Sequence, residues 1–167
     1  MKRISGFLLF TLLALTGMQA RAVDYSLPDI HGRMQSLDQY RGKWVIVNYW
    51  ATWCVTCRKE LPDLIALHEK FRAQDVVVVG INFEVIDTAR LTAFVREAGI
   101  NYQVLRTAPV KQTPLGPVPA LPVTYIINPA GEVVAGEIGL VSQAGLEDYL
   151  ASQGIVARPA SVAADGV

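Results

Sequence analysis

Cysteine is nearly absent from this chain, with two in 167 residues. Two thiols cannot build the disulfide lattice of a small secreted scaffold or the four-cysteine set of a structural zinc site. An excess of either charge is also missing: 15 basic residues face 15 acidic ones. Nothing in that balance points to nucleic acid. Histidine is scarce, at two, and no internal repeat is visible. No apolar run approaches the roughly 20 residues that cross a bilayer as a helix. Apolar side chains are plentiful, at 51% of the chain against 18% charged. That is not the profile of a disordered chain, and the length allows one domain with an ordinary core.

The N-terminus reads as a targeting segment. Lys2 and Arg3 precede an apolar stretch over residues 7–15, and Ala20-Arg21-Ala22 follows as a small-x-small pattern. This arrangement predicts a signal peptide over residues 1–22, cleaved near Ala22. An uncleaved N-terminal membrane anchor is the alternative. No cysteine follows the stretch to carry a lipid. Cleavage would remove three basic residues and no acidic one from the balanced 15 and 15, leaving a net charge of about −3. The expected product is a periplasmic, mildly acidic domain over residues 23–154, with 155–167 as a disordered tail.

Residues 23–43 read as an irregular lead-in with one helical turn near residues 37–41. Residues 44–49 are a β-rich, mostly apolar run of strand length. From Cys57 to Ala73, apolar side chains recur at helical spacing, with Pro62 inside. Residues 76–82 are almost unbroken in apolarity, as in a strand buried on both faces. A helix is predicted over 88–98, stopped by Gly99, then a short strand over 102–105. Residues 106–121 hold Pro109, Pro114, Pro117 and Pro119, which predicts an irregular loop. A strand over 123–127, a turn and a hairpin partner over 132–138 precede a last helix capped by Ser142. The order β-α-β-α, hairpin, α predicts an α/β domain with a mixed central sheet covered by helices.

Both cysteines lie in Trp50-Ala51-Thr52-Trp53-Cys54-Val55-Thr56-Cys57, where the first strong strand meets the first long helix. Unpaired N–H groups and the macrodipole at a helix start favour a thiolate. Cys54 would attack a substrate disulfide, and Cys57, one turn further in, would resolve the mixed disulfide. A merely stabilising bridge would close too small a loop to constrain the unfolded chain much. A metal pair would need more ligands. His68 lies eleven residues beyond Cys57, roughly 16 Å along a helix at 1.5 Å per residue. Two buried free thiols do not suit a secreted protein.

The run Val47-Asn48-Tyr49-Trp50-Ala51-Thr52-Trp53-Cys54-Val55-Thr56-Cys57 resembles the active-site segment of the thioredoxin superfamily. With Asn48 it is similar to the TlpA/ResA/DsbE branch of extracytoplasmic thiol–disulfide oxidoreductases. Leu27-Pro28-Asp29, Gly32, Leu37 and Gly42-Lys43 resemble the start of that branch, and Pro62 its helix proline. Leu121-Pro122-Val123-Thr124-Tyr125 resembles the cis-proline segment, and Asn128-Pro129-Ala130-Gly131 the turn after it. The sequence departs from the pattern in the proline-rich stretch 107–120, which stands where part of a helix is usual. It also departs in the dipeptide Val55-Thr56, which contains neither proline nor histidine.

The resemblance implies a thioredoxin fold with an N-terminal extension, and a cysteine pair that carries two electrons with no dissolved cofactor and no metal. It favours the reducing direction: client protein disulfides, as in cytochrome c maturation, with electrons from a membrane thiol reductase. The working unit would be a monomer. Trp53, Leu121 and Pro122 would contact the client, and residues 107–120 would wall its groove. Asn48, at the position of an Asp in thioredoxins proper, cannot exchange a proton at neutral pH. Glu84, just past the edge of a strand parallel to residues 44–49, is the expected acid–base group. Glu60 is expected to face solvent from its helix, and His31 and His68 to be a turn residue and a helix-surface residue. A net disulfide oxidant is the rival within the class. A thiol peroxidase of related fold would want Thr where Ala51 stands. A copper-binding assembly chaperone would want C-x-x-x-C and a well-placed His.

Overall fold

The computed structural model describes residues 23–71 and 74–157. The expected signal segment and the last ten residues of the expected tail lie outside them. The architecture is organised by β3 (Trp44–Trp50), in which all seven residues are buried. A strand buried on both faces must be central. It pairs in parallel with β4 (Val76–Phe83), and β4 in parallel with β5 (Gln103–Thr107). On its other side β3 pairs antiparallel with β8 (Val123–Ile127), which pairs antiparallel with β9 (Val133–Ile138). The sheet order is β5-β4-β3-β8-β9, the mixed sheet expected from the sequence.

Side-chain alternation divides β3 between two cores. Ile46 and Trp50 point toward α1 (Val55–Phe71), α2 (Thr88–Glu97) and α3 (Gln143–Ser152), while Val45, Val47 and Tyr49 point the other way. Asn48 shares the parity of Ile46 and Trp50, and lies level with Gly80 of β4 and Thr124 of β8. Ser142 caps its helix as expected, accepting from the Gly145 N–H at 3.2 Å, and Asp87 caps α2 by accepting from the Arg90 N–H at 2.9 Å. α1 runs on through Pro62, which has no N–H to give the Arg58 carbonyl. Beyond α3, residues 155–157 of the expected tail lie against the core through Ile155 and Ala157.

The lead-in is more regular than expected. It forms a small hairpin of β1 (Ser26–Pro28) and β2 (Met34–Ser36), followed by the 3-10 turn Leu37–Tyr40. Asp29, fully buried, organises the turn of that hairpin. It accepts from the His31 and Arg33 N–H groups at 2.8 and 2.9 Å and from Arg33 Nε at 2.9 Å. Burial by itself would push this carboxyl up. The backbone bonds from Arg33 and His31 and the Arg33 guanidinium outweigh burial and hold it below the ordinary carboxylate value. An isolated bridge between Asp29 and Leu105 fastens the lead-in to β5.

The proline-rich stretch corrects a second expectation. Its start belongs to β5, and its middle folds as a short hairpin of β6 (Gln112–Thr113) and β7 (Gly116–Pro117). Prolines forbid a helix here, and pairing across a tight turn remains open to them. Leu115 and Val118 are buried in the second core beside Tyr49 and Tyr125. The Tyr49 hydroxyl donates to Thr113 Oγ1 at 3.1 Å, Thr113 Oγ1 to the Gly116 carbonyl at 2.8 Å, and the Tyr125 hydroxyl to the Pro117 carbonyl at 2.7 Å. Gly116 sits at φ 145°, where a Cβ would lie 2.4 Å from the Tyr125 hydroxyl oxygen. Only glycine fits there.

Candidate active site

The loop between β3 and α1 ends at Cys54, which occupies the helix N-cap. Its carbonyl accepts the Arg58 N–H at 3.1 Å, and its sulfur accepts the Cys57 N–H at 3.1 Å. The sulfur thus replaces the oxygen of an ordinary capping side chain. A helix-end N–H aimed at Cys54 Sγ stabilises a thiolate there when the pair is reduced. Cys54 and Cys57 are joined as a disulfide, with Cα atoms 5.3 Å apart. The residues differ in access: Cys54 retains 6% exposure and Cys57 none. An incoming disulfide can reach only the first.

Apolar side chains stand around that opening. Trp53 is 68% exposed, and Val55 is also exposed. The Leu121–Pro122 peptide bond is cis. Tyr49 is level with Val123 in the β3–β8 ladder, which places Pro122 at the end of β3 that carries the cysteine loop. The Pro122 carbonyl accepts the Gly139 N–H at 2.9 Å, so the segment after β9, with its exposed Leu140, is tied beside the cis-proline. Two clefts flank this region. One, of about 330 Å³, lies between β9 and α3 and is lined by Thr124, Ile126, Leu140, Val141, Leu146 and Tyr149 among others. The second, of about 530 Å³, lies between α1 and α2 beside Thr52 and Arg58.

Glu84 is brought to the site, and its contacts are specific. Oε1 accepts the Thr52 N–H at 2.7 Å and Asn82 Nδ2 at 2.8 Å, and Oε2 accepts the Thr52 hydroxyl at 3.2 Å. It therefore holds the backbone two residues ahead of Cys54.

Glu60 overturns its expectation. It is fully buried and faces the sheet. Its Oε1 accepts Asn48 Nδ2 at 2.8 Å, and its Oε2 accepts the Val141 N–H at 3.0 Å. Asn48 Nδ2 also donates to Thr124 Oγ1 at 3.0 Å. Burial pushes the Glu60 carboxyl up, the bonds from Val141 and Asn48 pull it back, and the like charge of Asp63 pushes it up again. The net direction is upward, so this carboxyl holds a proton more firmly than an exposed glutamate does. Cys57 lies three residues earlier, one turn away on the same face of α1. Glu60 was legible in principle. It falls on the buried stripe of Cys57, Leu61, Leu64 and Leu67, opposite an Asn that cannot exchange a proton. A helical glutamate ordinarily faces solvent because its charge is costly to bury, and that conceals the signal.

His68 also turns inward. Its ring lies 6.0 Å from that of Tyr102, edge to face, and its Nδ1 accepts the Val78 N–H at 3.4 Å. Trp50 is a core residue with no exposure, stacked on Phe94.

Known proteins agree with this geometry. Residues 18–135 match the AhpC/TSA family. The thiol–disulfide oxidoreductase ResA of Bacillus subtilis is 31% identical over 131 residues, covering 77% of this chain and 72% of that one. ResA of Geobacillus kaustophilus is 28% identical over 145 residues, covering 86% and 82%. Among solved structures, a thioredoxin family thiol:disulfide interchange protein from Chlorobium tepidum superposes with a TM-score of 0.67 at 25% identity, over 80% of this chain and 97% of that one. A secreted thiol-disulfide isomerase from Corynebacterium glutamicum gives 0.70 at 27% identity, over 75% and 80%. With a sulfur-capped helix and a reachable Cys54 backed by a sealed Cys57, these likenesses establish that the chain belongs to the AhpC/TSA family as a ResA-like thiol–disulfide oxidoreductase with the thioredoxin fold.

Proposed function

We propose that this oxidoreductase works in the periplasm as a reductant of client protein disulfides. The clients are proteins whose cysteines must stay reduced in an oxidising compartment, such as cytochrome c before haem attachment. The observation that carries the reading is the asymmetry of the cysteine pair: Cys54 keeps a little exposure and is bonded to a helix-start N–H, while Cys57 is fully buried one helical turn before the buried Glu60. The Cys54 thiolate attacks one sulfur of the client disulfide. The client S–S bond breaks, a Cys54–client disulfide forms, and one client thiolate leaves. Glu60 takes the proton of Cys57, whose thiolate then attacks Cys54 Sγ. The second client thiol is released, and two electrons have passed to the client. Glu84 holds the loop that presents Cys54. Trp53, Leu121 and Pro122 receive the client chain, and a membrane thiol reductase returns the electrons to the monomeric protein. The likeness to the TlpA/ResA/DsbE branch supports the direction and the compartment.

Two measurements test this. Cys57→Ser should accumulate mixed disulfides with clients on non-reducing gels, and Cys54→Ser should not. The reverse pattern would overturn the assignment of the two sulfurs. The equilibrium potential of the pair should lie near that of thioredoxin, about −270 mV. A value near −120 mV, that of a strong oxidant, would reassign the protein to disulfide formation.

A further inference from the structure

Asp63 lies one turn beyond Glu60 on α1, and both carboxylates grip the same short segment. Glu60 Oε2 accepts the Val141 N–H at 3.0 Å, and Asp63 Oδ2 accepts the Gln143 N–H at 3.2 Å. Between them Ser142 is extended, at φ −120° and ψ 156°, so the two N–H groups point the same way and match the two carboxylates. The Gln143 N–H is one of the unpaired donors at the start of α3. It needs an acceptor and is met by a charge. Asp63 is half-buried and held by this bond, so its charge cannot swing away from Glu60 as a free surface carboxylate would.

The other groups around Glu60 do not neutralise it. α1 contributes Cys57 and Asp63, β3 the neutral amide of Asn48, and the 141–143 segment a backbone N–H. Thr124 of β8 presents a hydroxyl to the same amide. The buried Tyr102 hydroxyl lies within electrostatic reach and stays neutral, because burial pushes its pKa upward. No lysine or arginine among the described residues bonds Glu60.

We propose that Asp63 is a positioning residue for the thiol chemistry: its charge, locked one turn from Glu60 by the Gln143 N–H, makes the Glu60 carboxylate a stronger proton acceptor for Cys57. This rests on the role given to Glu60 above. The like charge favours the protonated form of Glu60, so the proton leaving Cys57 is held more firmly there during the resolving step.

The reaction of the reduced full-length protein with Ellman's disulfide tests it. Thionitrobenzoate is released in two phases, first by Cys54 attack and then by Cys57 resolution. The pH profile of the second phase is compared in wild type, Asp63→Asn, Asp63→Ala and Glu60→Gln. Asparagine keeps an acceptor for the Gln143 N–H and removes only the charge. Asp63→Asn should move the midpoint about half a pH unit or more to lower pH and slow the plateau about two-fold, as a weaker base would. Asp63→Ala should move the midpoint in the same direction. Raising the salt should carry the wild-type profile toward that of Asp63→Asn, and leave the variant in place. If Glu60→Gln loses the profile but Asp63→Asn keeps it, the Asp63 proposal fails and the Glu60 reading stands. A shift in Asp63→Ala alone would assign the effect to the lost backbone bond and overturn the charge mechanism. If Glu60→Gln keeps the wild-type profile, both ideas fall.

Discussion

The two faces of the central sheet settle their polar groups in opposite ways. On the face covered by β1, the 3-10 turn and the β6–β7 hairpin, the hydroxyls are paired in sequence: Tyr49 to Thr113, Thr113 to Gly116, Tyr125 to Pro117. On the face under α1, Asn48 Oδ1, Trp50 Nε1, Asn82 Oδ1 and Tyr102 Oη are buried without a hydrogen-bond partner among the described residues, and a glutamate is buried among them. These groups share with Cys57 the side of the sheet that the helices cover. One face pairs its hydroxyls within the fold, and the other holds a buried carboxylate one helical turn from Cys57.

This contrast can be broken most strongly on the satisfied face. Gly116→Ala would put a Cβ 2.4 Å from the Tyr125 hydroxyl oxygen at a φ that only glycine adopts easily. The hairpin and its hydroxyl chain should come apart. A loss of about 2–4 kcal/mol is expected in urea unfolding, with the reactivity of Cys54 unchanged in the folded protein. A loss below about 0.5 kcal/mol would show that the hairpin is not pinned to Tyr125.

A smaller effect is expected from the exposed Pro114, Pro117 and Pro119. Alanine at all three should cost up to about 0.4–1 kcal/mol per site, through a freer unfolded chain. If this cover also walls the client groove, reaction with a protein client should weaken while reduction of oxidised glutathione stays nearly unchanged. Equal losses on both substrates would confine the hairpin to a structural role.

The subtlest test sharpens the chemical face. Because burial raises the Glu60 pKa above its unfolded value, the native state holds that proton more firmly than the unfolded chain. Stability should therefore decline as pH rises from the ordinary glutamate range through the raised native value. Glu60→Gln should remove the decline, since Gln does not titrate and can still accept the Val141 N–H. Parallel stability–pH curves for the two proteins would mean that Glu60 is not titrating in the native state.

Much of this was open to reading from the chain. Runs of apolar residues at period two or near 3.6 report strands and helices directly, because burial of a face is a local property of one element. The order β-α-β-α, hairpin, α followed from them, and with it the sheet. The C-x-x-C at a strand-to-helix junction announced its own chemistry, since the helix start that activates Cys54 is made by its immediate neighbours. The β1–β2 hairpin is not legible in the chain, because its strands have three residues each and its turn is organised by the buried Asp29 carboxylate. The β6–β7 hairpin was missed because its signal is a contact with Tyr49 and Tyr125, distant in sequence.

Composition, periodicity and spacing by themselves determined the fold class, the strand–helix order and the identity of the reactive pair. Only the tertiary structure decided where the two carboxylates stand relative to that pair. Glu84 accepts from the Thr52 backbone, and Glu60, one helical turn after Cys57, lies buried against Asn48 and Val141. The reason is physical. A thiolate at a helix end is produced by groups within four residues of it. The environment of a carboxylate is set by strands and loops about 12 and 81 residues away, brought together only when the sheet closes under the helix.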